Sequence, residues 1–286
     1  MSMTHMPALG NWRYRRIWVF GANAAQRRRN SKVTRAEISD EAAYCVDGMS
    51  RSGRWLITAD HACNIVPEAI SDLPTLGLPA AEMQRHIAWD PGAKGVSLEL
   101  ARMLDSPALF SRFSRLVIDP NRGADDPTLV MRLYDGTIIP GNRNIDADEI
   151  EDRLRLLYRP YHASYARLAA TPSNRVICAI HSFTPCLRGR APRPWQIGIL
   201  HSHLDSRLAQ PLIARLRAEP DLTVLDNEPY GGHLPGDSID QHALRFGRPN
   251  VLIELRQDLI ETEAQQEAWA ARLAPILTEV LAVSGL

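Results

Sequence analysis

The chain has 286 residues, with 33 Lys+Arg against 33 Asp+Glu, 45% hydrophobic and 23% charged residues. This length suits one large domain or two small ones with a core that needs no disulfide staple, and the composition excludes collagen-like, coiled-coil and wholly disordered chains. A net charge of zero supplies no global field toward nucleic acid or an anionic membrane, so neither is expected as a partner.

Residues 1–36 hold eight Arg or Lys and no acid before Glu37, and their apolar patch, Ile17 to Phe20, is too short for a signal-peptide core. They read as a basic, disordered extension, with 37–286 as a single domain. No stretch reaches the ~18–20 uninterrupted apolar residues of a membrane span. Cys45, Cys63, Cys178 and Cys186 include no Cys-x-x-Cys pair, which predicts reduced thiols in a cytoplasmic protein.

From Arg54 onward, short apolar runs alternate with longer amphipathic stretches. Strands are predicted at Trp55 to Thr58, Ala108 to Phe110, Leu116 to Ile118, Val176 to Ile180, Ile197 to Leu200, Leu222 to Val224 and Val251 to Leu255. Helices are predicted at Gly95 to Leu104, Ala147 to Ala170, Ser206 to Ala218 and Ala264 to Val283, where apolar residues recur near a 3.6 period. Asp146 can cap the second of these, and Asp148 and Glu149 favour its positive end. The alternation predicts a three-layer α/β/α fold around a mostly parallel or mixed sheet.

In such folds the ligand crevice lies beyond the carboxyl ends of the strands. The polar residues found there are Asp60-His61, Asp119-Pro120-Asn121-Arg122, His181-Ser182 and Glu254-Leu255-Arg256. Two histidines and a carboxylate make a three-ligand site with an open position, as a catalytic zinc or similar divalent ion requires. His61 and His181 are the histidine candidates and Asp90 the carboxylate. Glu68 is a second choice for the third ligand. Asn64, in the short spacing after His61, is a poor uncharged ligand, and Cys63 reads as a small buried thiol.

Glu254 is a lone carboxylate in an apolar run, which asks for an ion pair with Arg256 or for chemistry in a cleft. The two are i and i+2 and project from one strand face, so Glu254 can serve as general base beside a charge that tunes it. Asn121 and Arg122 offer donors for a substrate carboxylate. His233 follows Gly231-Gly232 and is expected over the substrate with Arg256. Arg159, Tyr161, His162 and His242 are weaker candidates, and His201 and His203 read as structural.

Together these segments resemble the N-formylglutamate amidohydrolase family, whose fold is similar to that of zinc carboxypeptidases and aminoacylases. The resemblance spans Trp55 to Ala282 and rests on Asp60-His61-Ala62-Cys63-Asn64-Ile65-Val66-Pro67, Trp89-Asp90-Pro91-Gly92, Ser114-Arg115 through Arg122, Arg159-Pro160-Tyr161-His162, Ile180-His181-Ser182, Gly231-Gly232-His233 and Ile253-Glu254-Leu255-Arg256. It implies that His181 is the second metal histidine and Glu254 the general base, matching the roles read from the residues. The chain departs from the commoner Pro-His-Ser/Ala-Gly opening at the first histidine and has Asp119-Pro120-Asn121 in place of Asp-Leu-Asn, so it looks like a divergent branch.

The expected activity is metal-dependent hydrolysis of an N-acyl amino acid, a small molecule such as N-formylglutamate, with Arg115 aiding polarisation of the carbonyl. The alternatives are a zinc peptidase on short or cell-wall peptides and a non-catalytic binding protein of the same fold. Oligomeric state is not legible.

Overall fold

The computed structural model describes residues 43–286 except 72, 173, 229 and 230. The basic extension expected over 1–36 lies outside the described residues.

In chain order the strands are β1 (Tyr44–Asp47), β2 (Trp55–Ala59), β3 (Ala108–Ser111), β4 (Leu133–Tyr134), β5 (Thr137–Ile138), β6 (Val176–Phe183), β7 (Ile197–Leu200), β8 (Val224–Asp226) and β9 (Asn250–Arg256). Seven of them form one sheet in the order β1-β3-β2-β6-β9-β7-β8, and β4 and β5 pair separately. The centre is parallel across β3, β2, β6 and β9, whereas β1 and β7 run antiparallel to β3 and β9. The predicted mixed α/β sheet is therefore present.

Both faces of the sheet are covered, which is why β2 reads as a continuous apolar run, Trp55-Leu56-Ile57-Thr58-Ala59, buried at every position. Alternation sends Ile57, Cys178, Ile180 and Ile253 toward the long helices Ala93–Met103, Ala209–Arg217 and Glu263–Val283. It sends Leu56, Ile177, Ala179 and Leu252 toward Tyr161, Tyr165 and Leu168 of the helix Arg159–Ala170. Two reciprocal caps start helices: Asp146 with Glu149, and Thr262 with Gln265.

Several boundaries depart from expectation for identifiable reasons. Leu116 to Ile118 is buried but is no strand. The Val117 amide closes a turn on the Ser114 carbonyl at 2.9 Å, and the carbonyls of Leu116 and Val117 accept from the Asn142 amide and the Arg153 guanidinium at 2.7 and 2.6 Å. The helical pattern from 147 to 170 is present but passes through a π-turn at Leu154–Tyr158. Pro160 follows that turn and supplies no backbone donor to it. The strand expected at Leu222 to Val224 sits two residues later, and β6 extends through His181 to Phe183.

A hairpin not anticipated from sequence, β4–β5, turns on Asp135 and Gly136 with φ of 43° and 73°, the geometry that suits a right-twisted two-residue turn. It lays the Tyr134 ring against the Arg115 guanidinium, 5.4 Å from the ring centroid. Among the described residues, no helix is long and apolar enough to cross a membrane.

Candidate metal centre and cleft

Three sequence-remote segments meet at the carboxyl edge of the sheet. His61 follows β2, His181 lies in the last turns of the pleat of β6, and Asp90 precedes the helix Ala93–Met103. The Asp90 amide donates to the His61 carbonyl at 2.9 Å, which ties two of the segments together. Two residues on, Gly92 lets the turn pass close to Ile260: its φ is +80°, and a Cβ there would stand 2.3 Å from the Ile260 carbonyl oxygen.

All three side chains are buried. Nδ1 of His61 and Nδ1 of His181 lie 3.3 and 2.9 Å from Asp90 Oδ2, and one ligand atom from each residue falls within 4.8 Å of the other two. The far ring nitrogens face carboxylates, with His61 Nε2 2.7 Å from Asp119 Oδ1 and His181 Nε2 3.6 Å from Asp60 Oδ2. A carboxylate at Nε2 favours the tautomer whose proton sits there, leaving Nδ1 lone pairs aimed at the Asp90 carboxylate. Three acceptors converging in a dry site call for a cation between them, so this donor set fits a divalent metal.

The electrostatics follow the same geometry. Burial opposes charge on Asp90, but the His61 and His181 imidazoles hold its carboxyl well below the usual carboxylate range. Burial pushes the His181 imidazole down, yet Asp60 and Asp90 outweigh it and lift the group to about 10. A group so strongly disposed to take a positive charge at this point can take it from a metal instead of a proton.

Asp60 and Asp119 were not singled out as site residues by sequence reasoning, although both stand in motifs that it highlighted. Asp119 accepts from the Arg115 guanidinium at 2.8 and 3.1 Å and from the Asn121 amide at 2.9 Å. Asp60 accepts from the buried Tyr161 hydroxyl. Each carboxylate thus orients a histidine while being held from behind. A carboxylate directly before His61, and another three residues before Arg122, are the signals that were available.

The centre opens into a cleft of about 510 Å³ lined in part by Arg115, Asn121, Arg122, His233 and Glu254. Glu254 pairs directly with His181 across β9 and β6 and so shares its face. Desolvation raises the Glu254 carboxyl above its ordinary value, partly offset by His181. Arg115 reaches within 3.7 Å of Asp90 Oδ1. Arg122 donates to Thr128 Oγ1 and the Asn121 carbonyl, while the Asn121 side-chain oxygen accepts from the Ser238 amide. His233 approaches Asp240 at 3.5 Å.

Other expected residues fall elsewhere. Arg256 does not line the cleft; its guanidinium is held by Asp258 at 2.7 and 3.1 Å and by the carbonyls of Arg193, Pro194 and Trp195. Glu68 is exposed and Asn64 donates to the Met83 carbonyl at 2.8 Å, so neither joins the cluster. Burial pushes the half-buried Cys63 thiol up, keeping it protonated. Arg159 pairs with Glu151 on the surface, His162 and His242 bond each other, and His201 pairs with Asp226.

The sequence model of the N-formylglutamate amidohydrolase family matches residues 53–261. The solved structure of an Agrobacterium tumefaciens gene product is 36% identical, covers 86% of this chain and 98% of its own, and superimposes with a TM-score of 0.80. The N-formylglutamate amidohydrolase of Ralstonia eutropha JMP134 is 20% identical over 85% of this chain and 97% of its own, with a TM-score of 0.59, and shares the fold. No curated protein matches the sequence.

Proposed function

Since the chain belongs to the N-formylglutamate amidohydrolase family, whose members hydrolyse amides, we propose that it is a metal-dependent hydrolase of N-acyl amino acids, with N-formylglutamate or a close N-formyl analogue as substrate, acting in the cytoplasm. The observation that carries this reading is the convergence of His61, Asp90 and His181 beneath a cleft that also holds Glu254. These three residues would hold one divalent ion, zinc in the first instance, and when bound that ion supplies Lewis-acid polarisation of the amide and a more acidic water.

The remaining roles belong to the chain. Glu254, raised by desolvation, accepts a proton from the attacking water and returns it to the leaving amine, which suits a carboxyl tuned toward neutrality. Arg115 donates to the carbonyl oxygen as negative charge develops there, and its anchorage on Asp119 removes the cost of reorganising it. Arg122 and Asn121 bind the amino acid carboxylate, and His233 covers the substrate from the Gly231-Gly232 side.

The test is an activity screen of N-formyl and N-acetyl amino acids and dipeptides, with and without chelator, on the unmodified protein and on Glu254→Gln. Hydrolysis of N-formyl amino acids that stops on chelation is expected. The glutamine variant should retain metal and lose ~10²- to 10⁴-fold in kcat. Dipeptide hydrolysis alone, or a Glu254→Gln protein with normal kcat, would overturn the assignment.

A further inference from the structure

Two walls of the cleft are joined by a contact that plays no part in the proposed chemistry. His86 and Tyr134 line one wall, and Thr184, Leu187 and Arg193, at the start of the connection from β6 to β7 and within it, line another. Arg188, next to Leu187, reaches across to the first wall. Its Nη2 donates to Glu82 Oε1 at 2.8 Å and its Nη1 to Thr137 Oγ1 at 3.3 Å. Glu82 stands on the short helix Ala80–Met83 and Thr137 in the β4–β5 hairpin.

The two sides of this contact differ in strength. Arg85 donates to Glu82 Oε2 and to Asp135 Oδ2, both at 2.5 Å, and the Thr137 hydroxyl donates to Glu82 Oε2 at 3.0 Å. These groups are partly buried, so the helix and the hairpin form one piece. The Arg188 side chain, by contrast, is 54% exposed, and the carboxylate it meets is already shared with Arg85. An exposed pair of this kind adds little to stability, so when the two walls part they part at Arg188.

The segment that carries Arg188 is tied together as a unit. The Arg193 amide donates to the Pro185 carbonyl at 2.8 Å, which closes residues 185–193 into an Ω-shaped loop at its base. Inside the loop the Arg190 amide donates to the Leu187 carbonyl at 3.0 Å and the Cys186 thiol to the Arg190 carbonyl at 3.2 Å. Beyond the base, Arg256 Nη1 holds the carbonyls of Arg193, Pro194 and Trp195 at 3.1 to 3.3 Å. The base is therefore anchored to the sheet, while the tip meets the opposite wall through a surface arginine.

We infer that residues 185–193 are a flap of the cleft, hinged at the contact between Pro185 and Arg193 and latched at its tip by Arg188 on Glu82 and Thr137, and that it swings open to let ligands pass. The flap does not depend on which amide the protein hydrolyses.

Limited trypsin digestion of the full chain, read by mass spectrometry, follows cleavage after Arg188 and Arg190, each rate being divided by that of a free peptide of the same 184–194 sequence. Cleavage of a loop that opens and recloses quickly tracks its open population. Arg188→Gln should speed cleavage after Arg190 by about 2- to 5-fold, and Arg188→Glu, which repels Glu82, by more. Arg188→Lys should stay close to the parent protein. Sodium chloride at about 1 M should bring the parent toward Arg188→Gln, since salt screens the exposed pair. Arg190→Gln, which leaves the latch intact, should not alter cleavage after Arg188. Hydrogen exchange at the Arg193 amide reports on the hinge and should stay slow in Arg188→Gln. Equal cleavage of the parent and Arg188→Gln overturns the latch. Faster exchange at Arg193 in step with faster cleavage overturns the hinge, because the loop then unravels instead of swinging. Neither readout requires hydrolysis, so both outcomes stand apart from the amidohydrolase reading.

Discussion

At the residue scale, the His61 ring is gripped from its far side by a carboxylate that is itself fixed by a guanidinium, and the strength of His61 in its proposed role as a metal ligand should depend on that grip. Asp119→Asn removes the negative charge and sets an amide where Arg115 and His61 both donate. Zinc affinity, read by competition with a chromophoric chelator, should fall about 10- to 100-fold. Asp60→Asn should cost less, because its contact with His181 spans 3.6 Å. An unchanged affinity in Asp119→Asn would remove Asp119 from the metal's support. His61 and His181 were legible as candidates in the sequence because strand ends collect functional residues and histidines are few, and Asp90 because it was the better carboxylate on offer, in the Trp89-Asp90-Pro91-Gly92 segment. Their supporting carboxylates were not, since the partner of His61 lies 58 residues away and nothing in a local pattern pairs them. Arg256 shows the opposite limit. Alternation sets it on the face of Glu254, but Asp258, two residues further on, captures its side chain.

At the element scale, the helix Arg159–Ala170 meets the short helix Ser238–His242 through an imidazole pair, His162 Nδ1 to His242 Nε2 at 2.8 Å. Tyr165 stacks on His242 at 4.2 Å. The short helix matters to the cleft because Ser238, at its start, supports Asn121 and the Pro120 carbonyl. Burial depresses His162 to about 4, and burial together with the neighbouring imidazole depresses His242 to about 3, against an ordinary value of 6.5. The folded protein therefore binds fewer protons than the unfolded chain below pH 6.5, and stability falls as pH drops toward the folded values. The slope is at most ~1.4 kcal/mol per pH unit for each such proton. His242→Gln should flatten the decline in Tm between pH 6.5 and 4 relative to the parent protein; parallel declines would show that the pair does not govern it. Neither histidine's partner could be read from sequence, although the helix carrying His162 could. The apolar period gave that helix from end to end, while the π-turn before Pro160 disturbs the period too little to be visible in it.

At the scale of the whole molecule, the mixed sheet with both faces covered was legible because each strand run is apolar on both sides of its pleat. The edge strand β1, with only partly buried positions or an exposed one, and the two-residue strands of the β4–β5 hairpin give no such signal. The proposed metal would join three parts of this fold: the end of β2, the turn before the helix Ala93–Met103, and β6. None of these proposed ligands is near another in the unfolded chain, with His61 and Asp90 29 positions apart in the sequence and Asp90 and His181 91 positions apart. The folded state should therefore bind the ion far more tightly than the unfolded state, and binding should raise stability. At free zinc of 100 times Kd the gain is ~2.7 kcal/mol. For a domain of this size each kcal/mol moves Tm by roughly 2–4 °C, so zinc should raise the melting temperature of chelator-treated protein by about 5–10 °C. The same addition to His61→Ala should produce little shift, since removal of one ligand leaves a two-residue site. Equal melting temperatures for the unmodified protein with zinc and with chelator would mean that His61, Asp90 and His181 do not hold a metal, and that their convergence is stabilised by protons alone.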